Sequence, residues 1–179
     1  MLIKIGTTII FLAMLTFGYA SVQNAQGSSS VTLEQVSNST DFKMLLPTSL
    51  DKWNIEVKEP VSFELNTPIT AAHLSFFNKS GDFIFSMTQH KATGYIGRRE
   101  ITQIDVSKKT MDTKVVEEEF KFNNDGTVVD WDGITARFEA WADGTPGGIL
   151  RWIQNDTYVE MDSKKLSQNA MLTLARTMQ

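Results

Sequence analysis

Two dipeptides limit the folds open to this chain more than anything else in it. In GTVVDWDGITARFEAW the pair Asp132-Gly133 separates two alternating apolar runs, and in GGILRWIQNDTYVEM the pair Asn155-Asp156 does the same. A two-residue hairpin loop of type I′ needs positive φ at both central positions, which Asp, Asn and Gly tolerate better than other residues. Fixing the loop fixes the register, and register decides the face on which each side chain lies. The first hairpin is then predicted to pair Trp131 with Ile134, Val129 with Ala136 and Thr127 with Phe138 on an apolar face, turning Asp130, Thr135 and Arg137 away. The second pairs Trp152 with Val159 and Leu150 with Met161 on one face, and Arg151 with Glu160 and Ile153 with Tyr158 on the other. What looks like a cluster of working residues thus divides into a core half and an outward half.

A third hairpin is predicted in TAAHLSFFNKSGDFIFSMTQH, with Asn78–Gly81 as its loop. That loop pairs Phe76 with Phe83, Leu74 with Phe85 and Ala72 with Met87. Ahead of it, VTLEQVSNST reads as a short helical turn, Phe42–Leu46 as an apolar strand stopped by Pro47, and Trp53, Ile55 and Val57 as one side of a half-buried strand. VSFEL, between Pro60 and Pro68, is a further strand candidate. The run from Lys91 to Thr113 has no clean period and reads as loop plus strand or as a short helix, and VVEEEFKF reads as an exposed strand. The chain closes with a helix in LSQNAMLTLARTM, with Ser167 as N-cap, Leu166 and Met171 as a hydrophobic staple, and an apolar stripe of Met171, Leu174, Ala175 and Met178. These elements predict an α+β fold, a mostly antiparallel curved sheet built from hairpins with the C-terminal helix packed on one face.

The chain has 179 residues, 41% of them hydrophobic, enough for one core and one domain. It holds no cysteine, which excludes disulfides, thiolate metal sites and a Cys nucleophile. A net charge of −4 argues against a nucleic-acid partner, since a phosphate backbone needs a basic face and only the Arg98-Arg99 pair offers a local concentration. At the front, Lys4, an apolar run from Ile5 to Phe17 and Gly18-Tyr19-Ala20 have the anatomy of a secretory signal peptide over residues 1–20. An uncleaved anchor over residues 5–20 is the competing reading, although the apolar run falls short of the roughly 20 residues that span a bilayer. Residues 21–30 read as a flexible polar spacer and residues 31–179 as the single folded domain. Either way the domain is expected outside the cytoplasm, secreted or membrane-tethered.

Catalytic and metal constellations are sparse. His73 and His90 are the only imidazoles and read as surface residues, with no H-x-H or H-E-x-x-H spacing. Glu117-Glu118-Glu119 alternate across a strand and cannot converge on one substrate atom. NNDGTVVDWDG has its glycine too early for a calcium loop, and GTPGG lacks the lysine of a phosphate loop. No cofactor or metal is expected. The nearest thing to an exposed recognition patch is Tyr95, Arg98 and Arg99.

The order V-x-x-x-G-x-x-A, then L-x-W-x-x-N-x-x-Y, then an amphipathic helix ending in LARTM, preceded far upstream by FKMLLPTSLDKW, resembles a domain of unknown function common in exported proteins of Gram-positive bacteria. Pro47, Gly133, Trp152 and Tyr158 are the matching positions. That family often stands at the extracytoplasmic C-terminus of anti-sigma factors and in sporulation or envelope lipoproteins. The resemblance implies an α+β sensor domain of the lipoprotein-carrier kind, with sheet and helix enclosing an apolar groove, and it transfers no catalytic residue. No cytoplasmic domain is expected ahead of the leader, so a direct hold on a sigma factor is not expected either. The function this points to is a non-enzymatic extracytoplasmic binding or sensor module of the cell envelope, taking a partner protein, lipid or cell-wall component through its sheet face or groove. The alternative is a small secreted hydrolase using carboxylates such as Glu139, Asp130 and Glu160 on the sheet.

Overall fold

Nine strands and two short helices follow one another in the computed structural model, which describes residues 32–58, 67–105 and 109–179. The expected leader, the expected spacer and the candidate strand VSFEL lie outside the described residues. The elements are α1 (Leu33–Ser39), a 3-10 turn (Leu50–Lys52), β1 (Asn54–Lys58), β2 (Ala71–Phe77), β3 (Phe83–Lys91), β4 (Ile96–Asp105), β5 (Thr110–Glu119), β6 (Thr127–Trp131), β7 (Ile134–Ala140), β8 (Gly148–Gln154), β9 (Thr157–Ser163) and α2 (Gln168–Ala175). Seven strands form one antiparallel sheet in the order β1-β2-β3-β9-β8-β7-β6, and β4 and β5 form a separate two-stranded arm. The architecture is therefore α+β and mostly antiparallel.

Both type I′ hairpins have the register that their loops dictate. Asp132 and Gly133 sit at φ 47° and 79°, and Asn155 and Asp156 at 54° and 60°. Trp131 faces Ile134, and Trp152 faces Val159. The β2–β3 hairpin differs from expectation by two residues: Phe76 pairs with Phe85, Leu74 with Met87 and Ala72 with Gln89. The cause is a longer loop. Asn78 donates its backbone N–H to Asp82 O and accepts from the N–H groups of Ser80 and Asp82 through its side chain, and a bulge follows Phe76. A shift of two preserves the faces, so Phe76 and Phe85 stack at 4.2 Å in the core while Phe83 is left 38% exposed at the tip.

The inner face then reads as continuous rungs. One runs Val57–Leu74–Met87–Met161–Leu150–Phe138 across six strands, and the next runs Ala72–Gln89–Val159–Trp152–Ala136–Val129. Trp152, Leu150, Val159 and Met161 are fully buried. Ser167 caps α2 by accepting from the Ala170 N–H, and Met171 and Ala175 join the same core cluster, with Leu166 packed against it. Thr32 and Gln35 form a capping box on α1, whose Val36 is also fully buried in that cluster.

Phe42–Leu46 is not a strand. Met44 and Leu45 are buried, yet the backbone there finds no ladder. Instead the Gln89 amide donates to Leu45 O and accepts from Leu45 N–H, both at 2.8 Å, so one side chain supplies what a neighbouring strand would. Leu46 exchanges two backbone hydrogen bonds with Gln179, and the Thr157 hydroxyl donates to Lys43 O at 2.7 Å. A polar residue in the middle of an apolar rung is stable there because both ends of its amide are satisfied.

Two outcomes follow. Trp152→Ala is expected to cost about 3–5 kcal/mol in urea unfolding, because it empties the centre of the inner face. Gln89→Leu, although more apolar, is expected to cost about 2–4 kcal/mol by leaving the Leu45 N–H and C=O buried without partners. Parent-like stability of the leucine variant would show that the amide clamp is dispensable.

Candidate functional site

Outward-facing residues also form rungs across the sheet, and these are polar. One runs Lys58–His73–Thr88–Glu160–Arg151–Arg137–Val128. At its centre the Arg151 guanidinium donates to Glu160 Oε2 at 2.7 Å and to Glu139 Oε2 at 2.8 Å, and Tyr158 Oη donates to Glu160 Oε2 at 2.9 Å. Burial works against the charge of Arg151, but the hydrogen bonds to Glu139 and Glu160 outweigh it and hold its pKa above the ordinary value. Burial, and then the Glu160 charge, push the Tyr158 hydroxyl well up, so it stays a protonated donor.

Beside this network four rings meet. His90 lies opposite Tyr158 on β9, and Tyr95 stacks on the imidazole at 3.8 Å with 15° between planes. Phe120 meets His90 at 4.5 Å and Tyr158 at 4.6 Å. His90 is therefore buried, contrary to its expected place on the surface: it carries the seat on which the β4–β5 arm rests. Its Nδ1–H donates to Lys91 O at 2.8 Å. The connection from β3 to the arm is tied down by Asp156, whose carboxylate accepts from Thr93 N–H and Oγ1 at 3.1 and 2.7 Å. Phe120 N–H donates to Tyr95 O at 2.9 Å, extending the arm's ladder to its base. The unassigned run from Lys91 onward thus resolves into a tied loop and the strand β4, and VVEEEFKF into the end of β5 and the two phenylalanines after it.

At that base is an open groove of about 690 Å³, lined by Tyr95, Gly97, Arg98, Glu118, Glu119, Phe120 and Lys121. Alternation along the strands puts Tyr95, Gly97, Glu118 and Phe120 on one face, Tyr95 opposite Phe120 and the glycine beside Tyr95 one rung further on, opposite Glu118. A glycine inside a strand often marks close approach of a ligand or another backbone. Arg98 on the rim pairs with Glu117 at 2.7 Å, with both side chains largely exposed, a contact worth little in water.

Of the expected patch, Tyr95 and Arg98 both line this groove. Arg99 occupies the β4 position opposite Val116. Gly97, Phe120, Lys121 and the buried His90 were missed, since only Glu118 and Glu119 of the distant strand stood out by charge. Glu139 and Glu160, the carboxylates considered for hydrolysis, share one guanidinium, and Asp130 accepts from Thr135 Oγ1 at 2.7 Å two strands away. His73 Nδ1 and Thr88 Oγ1 stand 2.9 Å apart, the spacing of a base and a hydroxyl nucleophile. They sit on interior strands of the sheet, where backbone N–H groups are engaged in ladders and supply no oxyanion hole. Among the described residues no group of three or more His, Asp or Glu is placed to hold a metal ion, and no helix is long and apolar enough to cross a membrane. No family model, curated protein or solved structure matches this chain.

Burial lowers the pKa of His90, outweighing its Lys91 carbonyl and the Glu160 carboxylate, and burial together with the Lys58 charge lowers that of His73. A histidine with a folded pKa below its unfolded value of 6.5 takes up its proton more readily when unfolded. Stability from these groups is thus complete above that value and lost as the pH falls below it. The urea midpoint is expected to drop between about pH 7.5 and pH 5. His90→Phe should flatten that drop in part, leaving the share due to His73; an unchanged slope would mean the ring seat does not sense protonation.

Proposed function

We propose that this chain is a non-enzymatic binding or sensor module of the bacterial envelope, acting outside the cytoplasm, with its recognition site in the groove at the base of the β4–β5 arm. The observation that carries this reading is an open groove lined by the side-chain-free Gly97 and the rings of Tyr95 and Phe120, with Arg98, Glu119 and Lys121 around it. Rings, an open floor and charges of both signs suit a protein segment or a cell-wall component. A lipid is less well served, because an acyl chain needs an enclosed apolar space and the inner face of the sheet is filled by Trp152, Leu150 and Met161. The reading takes the sheet as curved with α2 laid across its inner face, and the outer face as the one that works.

Hydrolysis is disfavoured by the state of its candidate carboxylates. Glu160 accepts from both Arg151 and Tyr158, an arrangement that occupies the carboxylate and rigidifies the sheet beneath the arm. The leader-like sequence over residues 1–20 and the resemblance to exported Gram-positive sensor domains support a position outside the cytoplasm. N-terminal sequencing of the exported protein is expected to begin at Ser21; a start at Met1 would replace secretion by tethering.

Gly97→Val tests the groove. A Cβ there would lie 3.7 Å from Glu118 O and 3.8 Å from Tyr95 Cε1, ordinary contact distances, so the branched side chain fills the groove without displacing backbone. The variant should unfold at the parent's temperature while retaining less than about a tenth of the parent's capture of any component from detergent-solubilised envelope. Equal capture by both proteins would sink the groove as the recognition site.

A further inference from the structure

The arm has a second feature that the groove does not use. Among the described residues β5 pairs only with β4, and no described strand lies along its other edge. The free edges of the main sheet, β1 and β6, are five residues each. A two-stranded ribbon is marginal in water, and long unpaired edges are templates for a further strand.

The direction of the free backbone groups follows from the ladder. Phe120 N–H donates to Tyr95 O, and in an antiparallel pair hydrogen-bonded positions alternate. The register from Ile96↔Glu119 to Asp105↔Thr110 is unbroken. Hence Met111, Thr113, Val115, Glu117 and Glu119 turn their backbone N–H and C=O away from β4, and their side chains share one face. Met111 and Val115 on that face are 72% and 60% exposed. The charges of β5 are four carboxylates against the single ammonium of Lys114.

We propose that the free edge of β5 accepts an extended basic peptide as a third, antiparallel strand of the arm. Main-chain hydrogen bonds to the odd-numbered positions give the affinity, and the side chains give the reading: basic residues opposite Glu119 and Glu117, apolar ones opposite Val115 and Met111. The exposed Arg98–Glu117 pair is weak enough to be exchanged for the incoming cation.

The test titrates the purified protein with the labelled peptide Lys-Thr-Lys-Thr-Val-Glu-Thr-Lys-Val and with its charge-swapped counterpart, by fluorescence anisotropy. The basic peptide is expected to bind at least about tenfold tighter. Glu117→Lys combined with Glu119→Lys should invert the preference. Val115→Pro should abolish binding at unchanged thermal stability, because the N–H it removes faces away from β4. Equal binding of the two peptides, or full binding by the proline variant, overturns the proposal. So does a concentration-dependent dimer that Val115→Pro dissociates, which assigns the edge to a second copy. Gly97→Val leaves the edge intact, so peptide binding should survive it, and the groove and the edge fail or stand separately.

Discussion

The pairing of Trp152 with Val159 across the Asn155-Asp156 loop is the constraint on which the rest of the molecule depends. It holds Leu150, Trp152, Val159 and Met161 on the inner face of two central strands, β8 and β9. The same pairing necessarily sends Arg151, Glu160 and Tyr158 outward. A slip of one residue would bring a guanidinium and a carboxylate into the core and put a tryptophan in water, a loss large against the whole stability of a small domain. Core and polar outer face are therefore two results of one register, not two separate designs.

Each face then recruits what the other strands bring. On the inner side, Gln89 lies between Ala72 and Val159 in an apolar rung, and its amide binds the backbone of Leu45. That contact, with the Leu46–Gln179 pair, ties the first part of the domain and its last residue to the sheet. On the outer side Tyr158 gives Phe120 and His90 a surface to pack on, and so determines where the arm is seated. Further along the arm Met111 and Val115 are exposed.

How much of this the sequence discloses depends on how local the cause is. Asp132-Gly133 and Asn155-Asp156 carry their geometry in two residues, so both hairpins could be read pair by pair. The β2–β3 hairpin could be read only as to face: Asn78 bonds its own loop through Asp82, and the bulge at Phe76 moves the register by two without changing which side is apolar. Phe42–Leu46 has a strand's composition, but its partner is a side-chain amide 44 positions away, which no periodicity announces. His90 looked like a surface histidine because the rings that bury it come from three separate segments, at Tyr95, Phe120 and Tyr158. Tyr95 and Arg98 stood out as exposed aromatic and charge; Gly97, the residue that opens the groove, carries no signal except its place between them.

That glycine shows how a weak local choice can mark a site. A strand glycine gives up side-chain packing and costs conformational entropy, and among the described residues β4 has no strand neighbour besides β5 to stabilise it. A Cβ at Gly97 would make ordinary contacts, and a β-branched residue would favour the strand. Packing and propensity both argue for a larger residue there, so the fold does not require the glycine. What the glycine does provide is open space in the groove beside Tyr95, next to the rings that pack the arm against His90 and Tyr158. Stability alone therefore does not account for a glycine at this position of the arm.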